Sequence, residues 1–237
     1  MSYMFASCRG LTILNIGNFK TNNVKEMAYM FSDDTGIFQL DLSSFETPTL
    51  VNMTGLFMDC SSLTRLQIDK FTTKNVKDMS YLFHGCVSLS TIDVSKLDTS
   101  SVENMEEMFC ECSKVSKLDI GNFDTSKVTN MNSMFKQCVS LTSLDLSNFN
   151  TEKVTDMSHM FEHLVLITEL DVSKFKTSNV VDMSSMFSNN GAIRQLDVSK
   201  FDTSKVTNMM EMFNGLTQVQ SLDVSKFDTS KVTDMSF

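Results

Sequence analysis

Apolar and polar residues alternate in short triplets that return every 26 positions. Leu40-Asp41-Leu42 recurs as Leu66-Gln67-Ile68, Ile92-Asp93-Val94, Leu118-Asp119-Ile120, Leu144-Asp145-Leu146, Leu170-Asp171-Val172, Leu196-Asp197-Val198 and Leu222-Asp223-Val224, with Leu14-Asn15-Ile16 before them. No step gains or loses a residue. Apolar-polar-apolar alternation predicts a short strand with one face buried. Later in each unit the spacing changes. Met131, Met134, Phe135 and Cys138 fall at i, i+3, i+4 and i+7, an apolar stripe that predicts a helix of about two turns. Asn or Asp usually precedes the first Met, as at Asn130, Asp156 and Asp182, where a short acceptor can cap a helix start. The Met column, from Met27 and Met53 to Met235, has no exception, and Phe follows four residues later from Phe5 to Phe213. A Thr column from Thr21 to Thr229 is equally strict and is expected to bond the local backbone between strand and helix.

Nine units, starting near 11, 37, 63, 89, 115, 141, 167, 193 and 219, leave three of the 237 residues over. Nothing resembles a linker, so residues 1–237 form one array. A two-turn helix does not persist alone, but stacked units bury their apolar columns against one another. The fold expected is an α/β repeat solenoid of leucine-rich-repeat type, with a parallel β-ladder on one face and short helices on the other. Met1, Met4 and Phe5 already occupy helix columns, and Asp234-Met235-Ser236-Phe237 stops before the next Met-Phe pair. The array is therefore expected to be uncapped at both ends, a fragment of a longer one, with end-to-end self-association as a consequence.

The segments LDLSNFNTEKVTDMSHMF (Leu144–Phe161) and LDVSKFDTSKVTNMMEMF (Leu196–Phe213) resemble the 26-residue repeat of bacterial surface proteins and mycoplasma-type lipoproteins, grouped with BspA-like leucine-rich-repeat surface proteins. The resemblance spans essentially the whole chain. It implies a noncatalytic solenoid at the cell surface or outside the cell, binding a protein or other macromolecule on a host or neighbouring cell as part of an adhesin. It implies no cofactor and no catalytic residue. A structural spacer or assembly module without a specific ligand is the alternative.

Composition narrows the choices. With 20 basic against 29 acidic side chains, a formal charge of −9, the chain lacks the basic footprint that nucleic acid requires. No apolar run approaches the roughly 20 residues of a membrane-spanning helix. The 19 Met and 19 Phe follow from the fixed columns, as adaptable fillers of a thin core.

Candidate chemistry is sparse. Asp41, Asp93, Asp119, Asp145, Asp171, Asp197 and Asp223 lie between inward apolar neighbours, so alternation turns them to the open face. Two readings stand for this strip: a solvated face, or a binding surface for a basic partner or a cation, with Asp93, Asp119, Asp145, Asp171, Asp197 and Asp223 as the binding residues. Ser147, Ser173, Ser199 and Ser225 share the face, and lysines such as Lys174 and Lys200 flank it. Cys60, Cys86, Cys112 and Cys138 form a column of buried free thiols, whereas Cys110 falls outside it and is expected to be exposed. Cys110-x-Cys112 lacks a second pair at metal spacing, so no metal is expected there. Ala6-Ser7-Cys8 has neither the basic nor the apolar segment of a lipidation signal. His159-Met160-Phe161-Glu162-His163 fits the H-x-x-E-H zinc-peptidase pattern and gives zinc hydrolysis as a remote alternative, but the positions are variable columns with no third ligand in view.

Overall fold

The computed structural model describes residues 1–237. Two three-residue strands, β1 (Gln39–Asp41) and β2 (Arg65–Gln67), pair in parallel with Leu40 opposite Leu66. This is the alternating triplet in register one unit apart. Elsewhere along that column only a single bridge, Glu169 to Gln195, closes, so the expected ladder is fragmentary at the triplets. A continuous one runs at the Asn/Asp column instead. Parallel bridges join Glu26, Asn52, Asp78, Asn104, Asn130, Asp156, Asp182, Asn208 and Asp234 in unbroken succession. The array is therefore a solenoid with one residue per 26 in strict register.

The short helices expected on the second face are not formed. From each Met column onward the backbone N–H groups alternate in destination. Met30 and Ser32 bond three residues back, to Met27 and Tyr29, while Met27, Tyr29, Phe31 and Asp33 donate to the next unit, at Asn52, Thr54, Leu56 and Met58. An α-helix would send the Phe31 N–H to Met27. Here it crosses to Leu56 at 3.1 Å. The physical reason is spacing. Units bridged at the Asn/Asp column sit about 4.8 Å apart on this face too, whereas an α-helix with side chains is about 10 Å across, so helices here would force the units to splay. A run of turns can, and it also satisfies the i, i+3, i+4 apolar spacing that suggested a helix. Two residues per unit take left-handed backbone to do so, for example Tyr29 (φ 54°) and Asp33 (φ 60°), or Ser133 (φ 53°) and Gln137 (φ 57°).

The Asn/Asp acceptor keeps its expected place but starts a turn. Asn52 Oδ1 accepts the Thr54 N–H at 2.9 Å and its hydroxyl at 2.7 Å, and Asp78, Asp156 and Asp182 hold the serine two residues on in the same way. The strict Thr bonds between units, not locally. Thr125 Oγ1 donates to the Asn150 carbonyl at 2.9 Å and accepts the Asn150 N–H at 2.8 Å, and Thr151 and Thr177 repeat the pattern with Lys176 and Asp202. The hydroxyl is buried and fully used, which explains a Thr without exception.

Within, 62 buried residues form one core. Its spine is the Phe column, from Phe5 to Phe213. Successive rings stack 5.7–6.0 Å apart with interplanar angles of 1–15°. Offset stacking of this kind adds to the area each ring buries.

Candidate functional site

The turns and strand segments fix two surfaces that carry chemistry. On the strand face, Asp41, Asp93, Asp119, Asp145, Asp171, Asp197 and Asp223 are all exposed, flanked inward by buried residues such as Leu118 and Ile120. Each is held by the residue two positions on. Asp145 Oδ1 accepts the Ser147 N–H at 2.9 Å, and Asp93, Asp171, Asp197 and Asp223 accept from Ser95, Ser173, Ser199 and Ser225 at 2.9–3.0 Å. At Asp119 the contact, from Gly121, lengthens to 3.5 Å. The bond from Ser147 lowers the pKa of Asp145, and Lys174 adds to the effect. Ser199 and then Lys200 do the same for Asp197. Asp145 and Asp197 thus stay ionised and preoriented at neutral pH.

A second acidic column escaped the sequence reading. Asp98, Asp124, Asp202 and Asp228 are exposed five residues after the first column and accept N–H bonds from Ser100, Ser126, Ser204 and Ser230. Their position immediately before the strict Thr was the available signal. Their own backbone N–H groups reach back to the Thr of the preceding unit, as Asp124 does to Thr99 at 2.7 Å, so this second column is anchored to the solenoid frame.

The residues of the remote zinc alternative take another arrangement, and one expectation is overturned. His159, Glu162 and His163 do not converge as a metal site. Glu162 is taken by His159 Nδ1 at 2.6 Å and Lys136 Nζ at 2.9 Å. Partial burial pushes its carboxyl upward, but His159 and Lys136 outweigh that and hold the pKa down to about 2. His163, without a helix to place it one turn above His159, is exposed at a left-handed position (φ 65°). Cys110, expected at the surface, is only 2% exposed. It lies beside His84 and Glu107, with the three ligand-type atoms within 4.8 Å of one another. Burial raises the Cys110 thiol pKa, with Glu107 and Glu111 adding to it. The signal for this cluster was columnar. His84 and Cys110 both follow the Phe column, one unit apart, a juxtaposition invisible to a search for local Cys-x-Cys spacing.

The four column cysteines are buried and unpaired, with thiols 3.0–3.2 Å from Phe31, Phe57, Phe83 and Phe109 carbonyl oxygens. No helix is long and apolar enough to cross a membrane.

Among solved structures, a leucine-rich-repeat protein of T. pallidum is 14% identical over 90% of this chain and 79% of its own, with a TM-score of 0.44. A leucine-rich-repeat protein of Bacteroides ovatus is 13% identical over 100% and 79%, with a TM-score of 0.33. A leucine-rich cell-surface protein of Faecalibacterium prausnitzii is 12% identical over 92% and 82%, with a TM-score of 0.32. Likeness at these levels transfers no function. No curated protein matches the chain. The sequence family is another matter: matches over residues 1–92, 86–169 and 166–237 together span the array, and the chain belongs to the family described as Mycoplasma protein of unknown function, DUF285.

Proposed function

We propose that the chain is a noncatalytic repeat scaffold that binds a basic protein surface through its aspartate strip, as part of a cell-surface adhesin. The observation that carries this reading is the repeated geometry of Asp93, Asp119, Asp145, Asp171, Asp197 and Asp223. All are exposed in successive units, and most are tied down by the serine two residues on. Fixed, ionised carboxylates lose little side-chain freedom on binding, which lowers the cost of association. A row of one sign also steers a cationic partner. The surface location rests on the resemblance to 26-residue-repeat surface proteins.

The test is retention of host or neighbouring-cell surface proteins on the immobilised chain, eluted along a salt gradient. Exposed charge contacts are screened within about 8 Å at physiological ionic strength, so the retained proteins elute early. Replacing Asp145, Asp171 and Asp197 by Lys abolishes retention. Retention unchanged by that triple reversal overturns the aspartate-strip mechanism.

A spacer or assembly module is the second reading, favoured by the unbroken ladder of parallel bridges from Glu26 to Asp234, through which each unit's backbone pairs with the next. Concentration-dependent end-to-end oligomers, with no partner retained on the column, support that reading over the first.

A further inference from the structure

We propose that His84, Glu107 and Cys110 form a binding site for a zinc-like divalent transition metal, built across two consecutive units of the array. A ring nitrogen of His84, a carboxylate oxygen of Glu107 and Sγ of Cys110 lie within 4.8 Å of one another. Tetrahedral zinc, with bonds of ~2.0–2.3 Å to these donors, sets its ligand atoms roughly 3.3–3.8 Å apart. A side-chain adjustment of about an ångström closes the set. Imidazole nitrogen, thiolate and carboxylate are together the ligands of a borderline-soft cation, not of calcium or magnesium.

The second observation is an unmet nitrogen. His84 Nδ1 is buried and lies 2.8 Å from Glu107 Oε2, yet it has no hydrogen bond. The carboxylate oxygen sits off the direction a ring N–H would take. By contrast, His159 Nδ1 and Glu162 Oε2, the other His–Glu pairing in the array, meet at 2.6 Å in hydrogen-bonding geometry. Glu107 draws both His84 and Cys110 toward it, and the poor alignment at Nδ1 leaves three donor atoms gathered where a cation could replace those contacts. The other ring nitrogen, Nε2, faces Asp59 Oδ1 at 3.8 Å, the outer carboxylate that commonly orients a metal-bound imidazole. Gly85, at φ +68°, leaves the room: a Cβ there would collide with Asp59 Oδ1.

The frame is rigid on both sides. Phe83 and Gly85 donate backbone N–H bonds to Met108 and Cys110 at 3.0 and 2.9 Å, bracketing His84, and the Cys110 N–H closes a turn onto the Glu107 carbonyl at 3.1 Å. The three ligands therefore come from fixed backbone, which limits the entropy lost on binding. His84 and Glu107 keep 17% and 24% of their side chains exposed, so a water can complete the fourth position. Lys136, one unit on in the same column, is turned away to Glu162. On binding, the Cys110 S–H bond breaks, its electron pair forms the metal–sulfur bond, and one proton leaves to solvent.

Chelator-treated protein is titrated with cobalt(II), and the cobalt is then displaced with zinc. One equivalent is expected to give a thiolate-to-cobalt charge-transfer absorption together with tetrahedral visible bands, with release of about one proton and a rise in Tm. Cys110→Ser removes the charge-transfer absorption, and Asp59→Asn weakens binding about 10- to 100-fold. His84→Gln, partly exposed and expected to fold, weakens it on the order of 100-fold or more, so the proposal stays testable if the Cys110 variant misfolds. Absence of a thiolate band in the parent protein overturns the site. So does a band that persists in Cys110→Ser, or affinity unchanged in a folded His84→Gln.

Discussion

Asn190 donates its side-chain amide to the carbonyl of Phe161, one unit earlier, at 2.7 Å, while its Oδ1 accepts the Leu164 N–H at 2.6 Å. The Phe carbonyl is thus an acceptor that one unit offers to the column residue of the next. Cys60, Cys86, Cys112 and Cys138 answer it with thiols; Asn190 answers it with an amide, and leucine at 164 and 216 offers no donor. Cysteine in this column is a small hydrophobe with one useful proton, which is why it can alternate with both leucine and asparagine.

Asp34 occupies the same column with the wrong chemistry for ionised pairing. Its Oδ1 accepts the Cys8 N–H at 2.7 Å, as Asn190 does with Leu164, but Oδ2 is buried without a partner. Burial raises its pKa to about 6, against the opposing bond from Cys8. A raised carboxyl pKa means that the folded state binds the proton more tightly than the unfolded one. The fold therefore loses stability as pH rises from about 4 through about 6. Asp34→Asn supplies the missing donor and is expected to stabilise the chain by about 1–2 kcal/mol at pH 7, with that pH dependence abolished. Urea unfolding at pH 4 and pH 7 reads both effects.

The Thr ladder gives a sharper test of inter-unit bonding. Thr125→Val keeps the shape but leaves the N–H and carbonyl of Asn150 without their shared hydroxyl. Each buried orphan costs on the order of 1–3 kcal/mol. A loss of about 2–4 kcal/mol is expected on urea unfolding, with faster amide exchange at Asn150. Thr125→Ser, which keeps the hydroxyl, loses less than half as much.

The register of the array was legible in the residues because identical columns must meet when units stack. Leu40 opposite Leu66, the Phe spine and the outward aspartates all follow from a period of 26 without insertions. The helix was not legible as a turn ladder, because an apolar spacing of three and four residues fits both. The deciding information lay in positions whose backbone must turn left-handed. Gly55, Gly85 and Gly215 fall at just those columns, with φ between +55° and +76°, although Tyr29, Glu107 and His159 share them and mask the pattern. The metal-type cluster was missed for a related reason. His84 and Cys110 are 26 residues apart in the chain and neighbours only once the units stack.

Glu162 separates a structural role from a catalytic one. Held by Lys136 and His159 with its pKa down at about 2, it contributes stability that is present above the unfolded value near 4.5 and lost as pH falls through about 2. Glu162→Gln is expected to lower the urea midpoint at pH 7 modestly, and the parent and variant curves converge as pH approaches 2. Curves that stay parallel down to that pH contradict the pairing.

Gln137 distinguishes the turn ladder from a helix most directly. It is exposed, carries φ of 57°, and sends its N–H to the Glu162 carbonyl of the next unit at 2.9 Å. In a helix, glycine at this position would cost about 1 kcal/mol. In left-handed backbone, a residue with a Cβ is itself strained by roughly 1–2 kcal/mol, and glycine relieves that at an entropic cost of about 0.5–1 kcal/mol. Gln137→Gly is therefore expected to stabilise the array by about 0.5–1 kcal/mol, read as a higher urea midpoint with an unchanged m value. The sign of that shift is the test, since a helical segment demands the opposite one.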